Sequence, residues 1–487
     1  MSPESSFLTT RRGKLTLAFL CGVAFLDFVD ASIVNVALPS IRHSLHFSIQ
    51  SLQWVLSGYL LTYGGFMLLG GRAADLIGRR RVLVAGTALF GLASLTGGLA
   101  ESEGMLIGAR LTQGIGAAMM IPAALSILTT SFTEGSDRNT AIGAWGATAG
   151  LASALGVVLG GVLSQGPGWR WVFFVNLPVC ALDLLVVFRL VAGQRDRPRP
   201  ASFDTLGALL VTSGMLLLTY AIINAPDVGW GKARTIGELA GAAALFAAFA
   251  LKEARQPNPL FPFSILRIKG LAAADLTQVI AMAGFYTTFF FLTLYMQTVL
   301  GFSRIQAGAA YIPTTLGVAI SSGIASKLFA RTGTRPIIIA GALLGAAGVF
   351  WLSHIPVQGS YLSDLLPGLL IMSVGLGAVF VGVTTAAQAG VPPDKAGLAA
   401  ALINASTWLG GALGIAIASA ISTSRAHHLL AAHATAHHAL TSGFQRALLA
   451  CSIAMLAAAV LASRATNTRG EPVTTPALEV VPLPENA

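Results

Sequence analysis

At 487 residues, 54% hydrophobic and 10% charged, with a formal net charge of +10 and a mean hydropathy of +0.74, the chain is far from the composition of a soluble protein. Apolar runs of about 18 residues or more recur along its whole length, which is what a helix needs to cross ~30 Å of hydrocarbon. These figures exclude a string of soluble domains, and they assign the positive charge to membrane topology rather than to nucleic acid.

Fourteen helical spans are predicted, with cores near 15–37, 53–70, 82–100, 105–129, 141–163, 172–191, 205–223, 236–252, 272–298, 308–329, 336–353, 365–388, 397–422 and 444–462. The expected fold class is therefore an all-α polytopic membrane protein. The first span is too long for a signal-peptide core and lacks a small-residue cleavage site, so it reads as uncleaved. An even number of spans puts both termini on one side. Loops on that side hold 22 of the 30 Lys and Arg residues against seven opposite, which predicts cytoplasmic termini. Cys21, Cys180 and Cys451 all fall in apolar segments and read as packing residues rather than a disulfide framework.

Within span 1, FLDFVDASIVNVALPSI (25–41) carries Asp27 and Asp30. A charge near the bilayer centre costs at least ~2.5–3.5 kcal/mol on insertion scales, so each acid is a functional candidate. Counting ~1.5 Å per residue back from Pro39 places Asp30 about 13 Å deep and Asp27 about 18 Å deep. Three residues apart, they share a helix face. Two carboxylates so close in low dielectric are not expected to ionise together, a property that suits a proton carrier. Asp27 also reads as a group facing a polar cavity or capping a local kink.

After span 2, GRAADLIGRRR (71–81) combines Gly71 and Gly78, which permit a tight turn and close helix approach, with Asp75 among Arg72, Arg79, Arg80 and Arg81. That composition suits an ion-pair cluster joining helix ends. Arg110, about 8 Å inside span 4, is the expected partner of Asp30, because an intramembrane Arg must be paired or hydrated. Snorkelling to the interface is the alternative. Asp183 in span 6 suits a cavity or a packing role, whereas Asp204, Glu238, Asp275 and Asp364 fall at span ends where solvation accounts for them.

The halves repeat. GGRAADLIGRRRVLVAG (70–86) returns as ASKLFARTGTRPIIIAG (325–341), and QGIGAAMM (113–120) returns as VGLGAVFV (374–381). The repeat is about two spans longer than six spans require, and breaker-rich RDRPRPASFD and RQPNPLFPF bound the surplus. The predicted organisation is a cytoplasmic N-terminus 1–14, a six-helix bundle 15–191, an inserted two-helix segment with linkers 192–265, a second six-helix bundle 266–464 and a disordered cytoplasmic tail 465–487. Such repeats suit a transporter whose halves rock about a midplane site. Ala330 stands for Asp75 and Ile371 for Arg110 in the second half, so the charged groups concentrate in the first.

Span 9, GFYTTFFFLTLYMQ (284–297), puts Phe285 and Phe289 on one face. With Trp54, Tyr59 and Trp408 they are candidate walls of a cavity for large hydrophobic or lipophilic cationic compounds. Packing against protein or lipid accounts for at least half of the aromatics. RAHHLLAAHATAHHAL (425–440) holds five of the eight histidines, and the i,i+4 spacing of His433 and His437 suits zinc; no Cys or acid accompanies them, so an outer loop without a ligand role is the expected reading, with zinc binding the alternative.

These motifs together resemble the major facilitator superfamily and, within it, the fourteen-span drug:proton antiporter family. VDASIVNVALPSI is similar to the family's span-1 signature. GRAADLIGRRR is similar to the superfamily's loop motif at Gly71, Asp75, Gly78, Arg79 and Arg80, and RLTQGIGAA (110–118) to its span-4 motif. WRWVFFVNLPV (169–179), FDTLGALL (203–210), GFSRIQAGAAYIP (301–313) and GVPPDKAGLAAALINASTWLGGALG (390–414) continue the likeness over nearly the whole chain. In span 5, GLASALGVVLGG (150–161) keeps glycines for close packing at Gly156, Gly160 and Gly161, but has Val157 where the family has proline.

The resemblance implies a major facilitator fold with fourteen helices arranged six plus two plus six. It makes Asp30 the family's membrane acid and Arg110 its proton-coupling arginine, with Asp27 an additional acid. The implied function is a proton-coupled exporter of hydrophobic or cationic drugs, working by alternating access as a monomer in the bacterial cell membrane. Its partners would be the small-molecule substrate, protons and the lipid bilayer, with no cofactor beyond the coupling proton and no nucleic acid. A proton-coupled importer or facilitator of a small metabolite is the alternative. An ATP-driven pump is disfavoured because no G-x-x-x-x-G-K-[ST] loop occurs. An intramembrane enzyme is the remotest reading, since no nucleophile with its base is evident at membrane depth.

Overall fold

A computed structural model describes residues 8, 10–132, 136–191, 204–256, 259, 263–268, 270–389, 391 and 396–469. The expected linker 192–203, most of the tail, and the side chains of Asp75 and Ala330 lie outside the described residues. No strand occurs among the described residues, and thirteen helices there are long and apolar enough to cross a membrane.

In chain order the long helices are α1 (Arg11–Leu45), α2 (Trp54–Ile77), α3 (Arg79–Gly98), α4 (Glu103–Ser131), α5 (Ser136–Gln165), α6 (Asn176–Leu190), α7 (Thr205–Val228), α8 (Ala233–Arg255), α9 (Leu271–Leu294), α10 (Ile312–Thr332), α11 (Thr334–Leu352), α12 (Leu366–Gln388), α13 (Ala396–Ala431) and α14 (Ala436–Ala462). Hydroxyl caps start several of them. Thr10 accepts from Gly13 N at 3.0 Å, Ser102 from Met105 N at 3.3 Å and Thr435 from His438 N at 3.4 Å, each satisfying an amide with no intrahelical partner.

The sequence repeat is also a repeat of backbone devices. Gly78 breaks α2 from α3 at φ 110°, and Gly333 breaks α10 from α11 at φ 87°, a region that L side chains rarely adopt. The helix pairs behind these turns pack in the same way. A Cβ on Gly86 would lie 2.9 Å from Gly116 O, and one on Gly341 would lie 2.8 Å from Gly375 O, so α3–α4 and α11–α12 both close through facing glycines. This register equates Gly116 with Gly375, and hence Arg110 with Leu369 rather than Ile371. The sequence alignment had matched a neighbouring glycine two positions away, where Gly114 faces α2 through Tyr59 O instead.

The halves meet closely at the end of the bundle where α1 and α5 finish. Arg304 Nη1 donates to Ser164 O at 2.6 Å, and Gln297 Nε2 donates to Val36 O at 3.0 Å. A Cβ on Gly161 would fall 2.7 Å from Arg304 O, and one on Gly308 would fall 2.6 Å from Val157 O. Deeper in, Asn35 Nδ2 donates to Thr293 Oγ1 at 3.2 Å, tying α1 to α9.

Helices α7 and α8 sit to one side. Helix α7 packs on α2 and α13, with Thr212 filling the space over Gly65, and Gln50 donates to Ile223 O. Helix α8 packs on α7, and only 11% of its apolar window is buried, which places it at the periphery. Two acids read as solvated are instead covered by neighbouring helices. Asp204 is buried, caps α7 by accepting from Gly207 N at 2.8 Å and pairs with Lys252 of α8. Asp275 is buried on α9.

Candidate functional site

The two acids of α1 lie in separate polar networks, both fully buried. Asp30 Oδ2 accepts from Arg110 Nη1 at 2.6 Å, while its Oδ1 accepts from Gln113 Nε2 at 2.8 Å and from Asn176 Nδ2 at 2.7 Å. Ser94 Oγ accepts from the same two amides at 3.1 and 2.8 Å. Arg110 is held further by Nε donating to Val55 O at 2.9 Å and Nη1 to Gln113 Oε1 at 2.7 Å. The cluster therefore binds α1, α2, α3, α4 and α6 through one carboxylate and one guanidinium.

Burying both charges costs several kcal/mol per ion, and their attraction repays that only with good geometry and added hydrogen bonds. Such a pair is weak as a stability device, so its presence at membrane depth argues for function.

Asp27 faces α2. Its Oδ1 accepts from Tyr59 Oη at 2.7 Å and its Oδ2 from Tyr63 Oη at 2.9 Å. The guanidinium of Arg110 lies 4.2 Å from the centre of the Tyr59 ring, so one tyrosine touches both networks. Tyr63 in turn stacks on Trp408 of α13, with ring centroids 4.4 Å apart. Tyr63→Phe keeps that stack and leaves one oxygen of a buried acid without its donor. It is expected to cost about 1–3 kcal/mol, read as a lower midpoint in thermal unfolding of detergent-purified protein; an unchanged midpoint would show that Oδ2 does not depend on this hydroxyl.

Between α1, α2, α4 and α9 lies a cavity of about 100 Å³, walled in part by Asn35, Tyr59, Arg110, Phe285, Tyr286 and Phe289. Three of the expected aromatic walls, Tyr59, Phe285 and Phe289, are there. Trp54 and Trp408 are not among its walls: Trp408 stacks on Tyr63 and packs against Tyr59 and Tyr286, which do line it, and Trp54 packs near Gly58 on the turn of α2 facing Leu111. A larger vestibule of about 640 Å³ opens where α1 and α5 finish, lined by Ser40, Ser164, Trp169 and Gln297 among others, away from both acids.

At the opposite end, Arg79 Nη1 donates to Thr130 Oγ1 at 2.6 Å, and Arg80 Nη1 donates to Val191 O at 3.1 Å, so each arginine ties the α2–α3 turn to a neighbouring helix. Gly78 supplies the turn, but Gly71 does not supply the close approach. A Cβ there would meet only Pro122 Cβ, at 3.7 Å, whereas one on Gly70 would lie 2.0 Å from Ala118 O. The span-5 glycines do lie at close crossings: Gly156 against Ser32, Gly160 against Ile33 O and Gly161 against Arg304 O.

Four residues of the two networks escaped sequence reasoning. Gln113 sits three residues after Arg110 and so on the same face, and Asn176 lies within the WRWVFFVNLPV motif, so both left a signal. Tyr63 follows Tyr59 at i+4, a weaker one. Ser94, an isolated hydroxyl in α3, left none.

A bundle of two repeated helical halves, closed around a buried ion pair and a small aromatic cavity, is the construction of a membrane transporter rather than of an enzyme. Residues 20–415 match the family described as Major Facilitator Superfamily, and the chain belongs to that family. It is 38% identical over 430 residues to the puromycin resistance protein pur8 of Streptomyces alboniger, a match covering 88% of this chain and 85% of that protein. It is 39% identical over 411 residues to the cephamycin export protein CmcT of Amycolatopsis lactamdurans, covering 84% and 85%. Among solved structures, a bacterial homolog of the human lysosomal transporter Spinster, inward-facing and unoccupied, superposes with a TM-score of 0.67 at 18% identity, over 93% of this chain and 97% of that one.

Proposed function

We propose that this multi-pass membrane protein is a proton-coupled exporter of hydrophobic, antibiotic-like compounds, with fourteen spans arranged six plus two plus six and both termini in the cytoplasm. The observation that carries the reading is the fully buried Asp30–Arg110 pair at 2.6 Å. Ionised, Asp30 holds Arg110, Gln113 and Asn176 together and so fixes α1 against α4 and α6. Protonated, it loses the charge attraction, and Arg110 must find other acceptors, so the packing of α1 becomes dependent on proton occupancy.

Alternating access follows if the close contacts of α5 with residues 304–308 close the outer face while substrate loads from the cytoplasm. After the halves rock, a proton taken from outside onto Asp30 favours release of the compound. Its inward movement contributes ~2.3 kcal/mol per 100 mV. The resistance and export proteins to which the chain is similar support the direction of transport and the substrate type. Asp27, tied to Tyr59 and Tyr63, is assigned as a second group that adjusts this response.

The test is growth of an efflux-deficient bacterium on a broad antibiotic panel. The wild-type protein is expected to raise the inhibitory concentration of at least one hydrophobic compound several-fold, and Asp30→Asn to lose that protection. Wild type and variant behaving alike for every compound would remove the reading.

A further inference from the structure

Neither membrane acid lines the central cavity. Both oxygens of Asp27 accept from tyrosine hydroxyls, and both oxygens of Asp30 are taken by Arg110, Gln113 and Asn176. The polar groups that do line the cavity are of another kind. Arg110 is 0% exposed and Asn35 7% exposed, and each keeps one atom with no partner among the described residues: Nη2 of Arg110, a donor, and Oδ1 of Asn35, an acceptor. The Asn35 amide is oriented by its Nδ2, which donates to Thr293. Five of the ten other described lining residues are aromatic, among them Tyr59, Phe285, Tyr286 and Phe289, and the hydroxyls of Ser32 and Thr315 there donate to carbonyls of their own helices.

We propose that this cavity selects uncharged or anionic aromatic compounds that present a carbonyl- or phenolate-type oxygen to Arg110 and a hydroxyl or N–H to Asn35, and that it discriminates against lipophilic cations. The proposal rests on the exporter reading and narrows its substrate class. Two effects compete over a cation. Each ring face attracts it by roughly thirtyfold in affinity once desolvated. Taking an unpaired cation out of water costs upwards of about a thousandfold, so two ring faces at best cancel that cost. No carboxylate oxygen at the wall tips the balance, and Arg110, already paired with Asp30, presents only donors there, so a cation is left with no net gain. For a ligand with matching oxygen and hydroxyl groups the balance reverses. Each buried group it satisfies recovers roughly five- to a hundredfold in affinity.

Two single-ring probes of similar size separate the cases: salicylamide, which carries carbonyl, hydroxyl and N–H groups, and phenyltrimethylammonium, a cation. Each is preloaded into energised cells of an efflux-deficient bacterium, with and without the full-length protein, and retained probe is measured. Wild type is expected to lower retained salicylamide at least about fivefold and to leave phenyltrimethylammonium unchanged. Asn35→Asp, which adds a carboxylate to the wall, is expected to gain phenyltrimethylammonium efflux and to lose salicylamide efflux. Efflux of the cation by wild type, alone or alongside salicylamide, overturns the proposal while leaving the exporter reading standing. Efflux of neither probe, in cells that the protein still protects from some compound of the antibiotic panel, overturns it as well. Loss of protection across the whole panel is the separate failure of the exporter reading.

Discussion

Asp30→Asn is expected to destabilise the protein and to uncouple it, and the two effects separate in a second variant. Replacing the carboxylate leaves Arg110 as a buried cation with only neutral acceptors, Val55 O, Gln113 Oε1 and the new amide oxygen. Removing one member of a buried ion pair typically costs about 3–5 kcal/mol, most of it the penalty on the charge left behind. Thermal unfolding of the purified single variant should therefore begin well below wild type. Asp30→Asn combined with Arg110→Gln removes both charges and keeps amides able to bond to each other. That double variant should regain most of the lost stability while staying inactive in transport. A double variant as unstable as the single one would mean that shape rather than charge holds this cluster.

The second large effect concerns two adjacent glycines. Gly70→Ala places a methyl group 2.0 Å from Ala118 O and 2.8 Å from Ala118 C, and both are backbone atoms that cannot rotate away. Helices α2 and α4 would have to part at this crossing. Overpacking of this kind costs about 1–3 kcal/mol or more. Gly71→Ala meets nothing closer than 3.7 Å and should fold and melt within about 0.5 kcal/mol of wild type. The expected result is a steep fall in folded yield for Gly70→Ala and near-normal yield for Gly71→Ala. Equal yields would contradict the packing described for α2 and α4.

How much of this was legible in the sequence depends on the kind of information each feature needs. Asp30 and Arg110 were matched by depth alone, because a helix rises ~1.5 Å per residue and only one arginine lies inside a span near that level. The glycine breaks at Gly78 and Gly333 were visible as a repeated motif. The partners of Asp27 were not, since they depend on the rotation of α2 about its axis. The same rotation decides that Gly70 rather than Gly71 faces α4. Trp408 illustrates a further limit: an aromatic at the right depth reads as a cavity wall, yet it packs against the wall residues Tyr59 and Tyr286 instead of forming the wall itself. Span-end acids misled for a related reason, as α8 covers Asp204 and a sequence window does not show which helix lies beside another. Aligning the two halves by glycines alone slipped by two positions, because α4 carries glycines toward both α2 and α3.

The central claim is that export is driven by protons exchanged at Asp30. Its most direct test is the pH inside proteoliposomes loaded with a pH-sensitive dye and containing the purified protein, after addition of a compound to which it confers resistance. With an imposed proton gradient, wild type should show compound-dependent dissipation of that gradient, and Asp30→Asn should show none. A gradient that decays at the same rate with and without compound in wild type, or equally in the variant, would contradict the account.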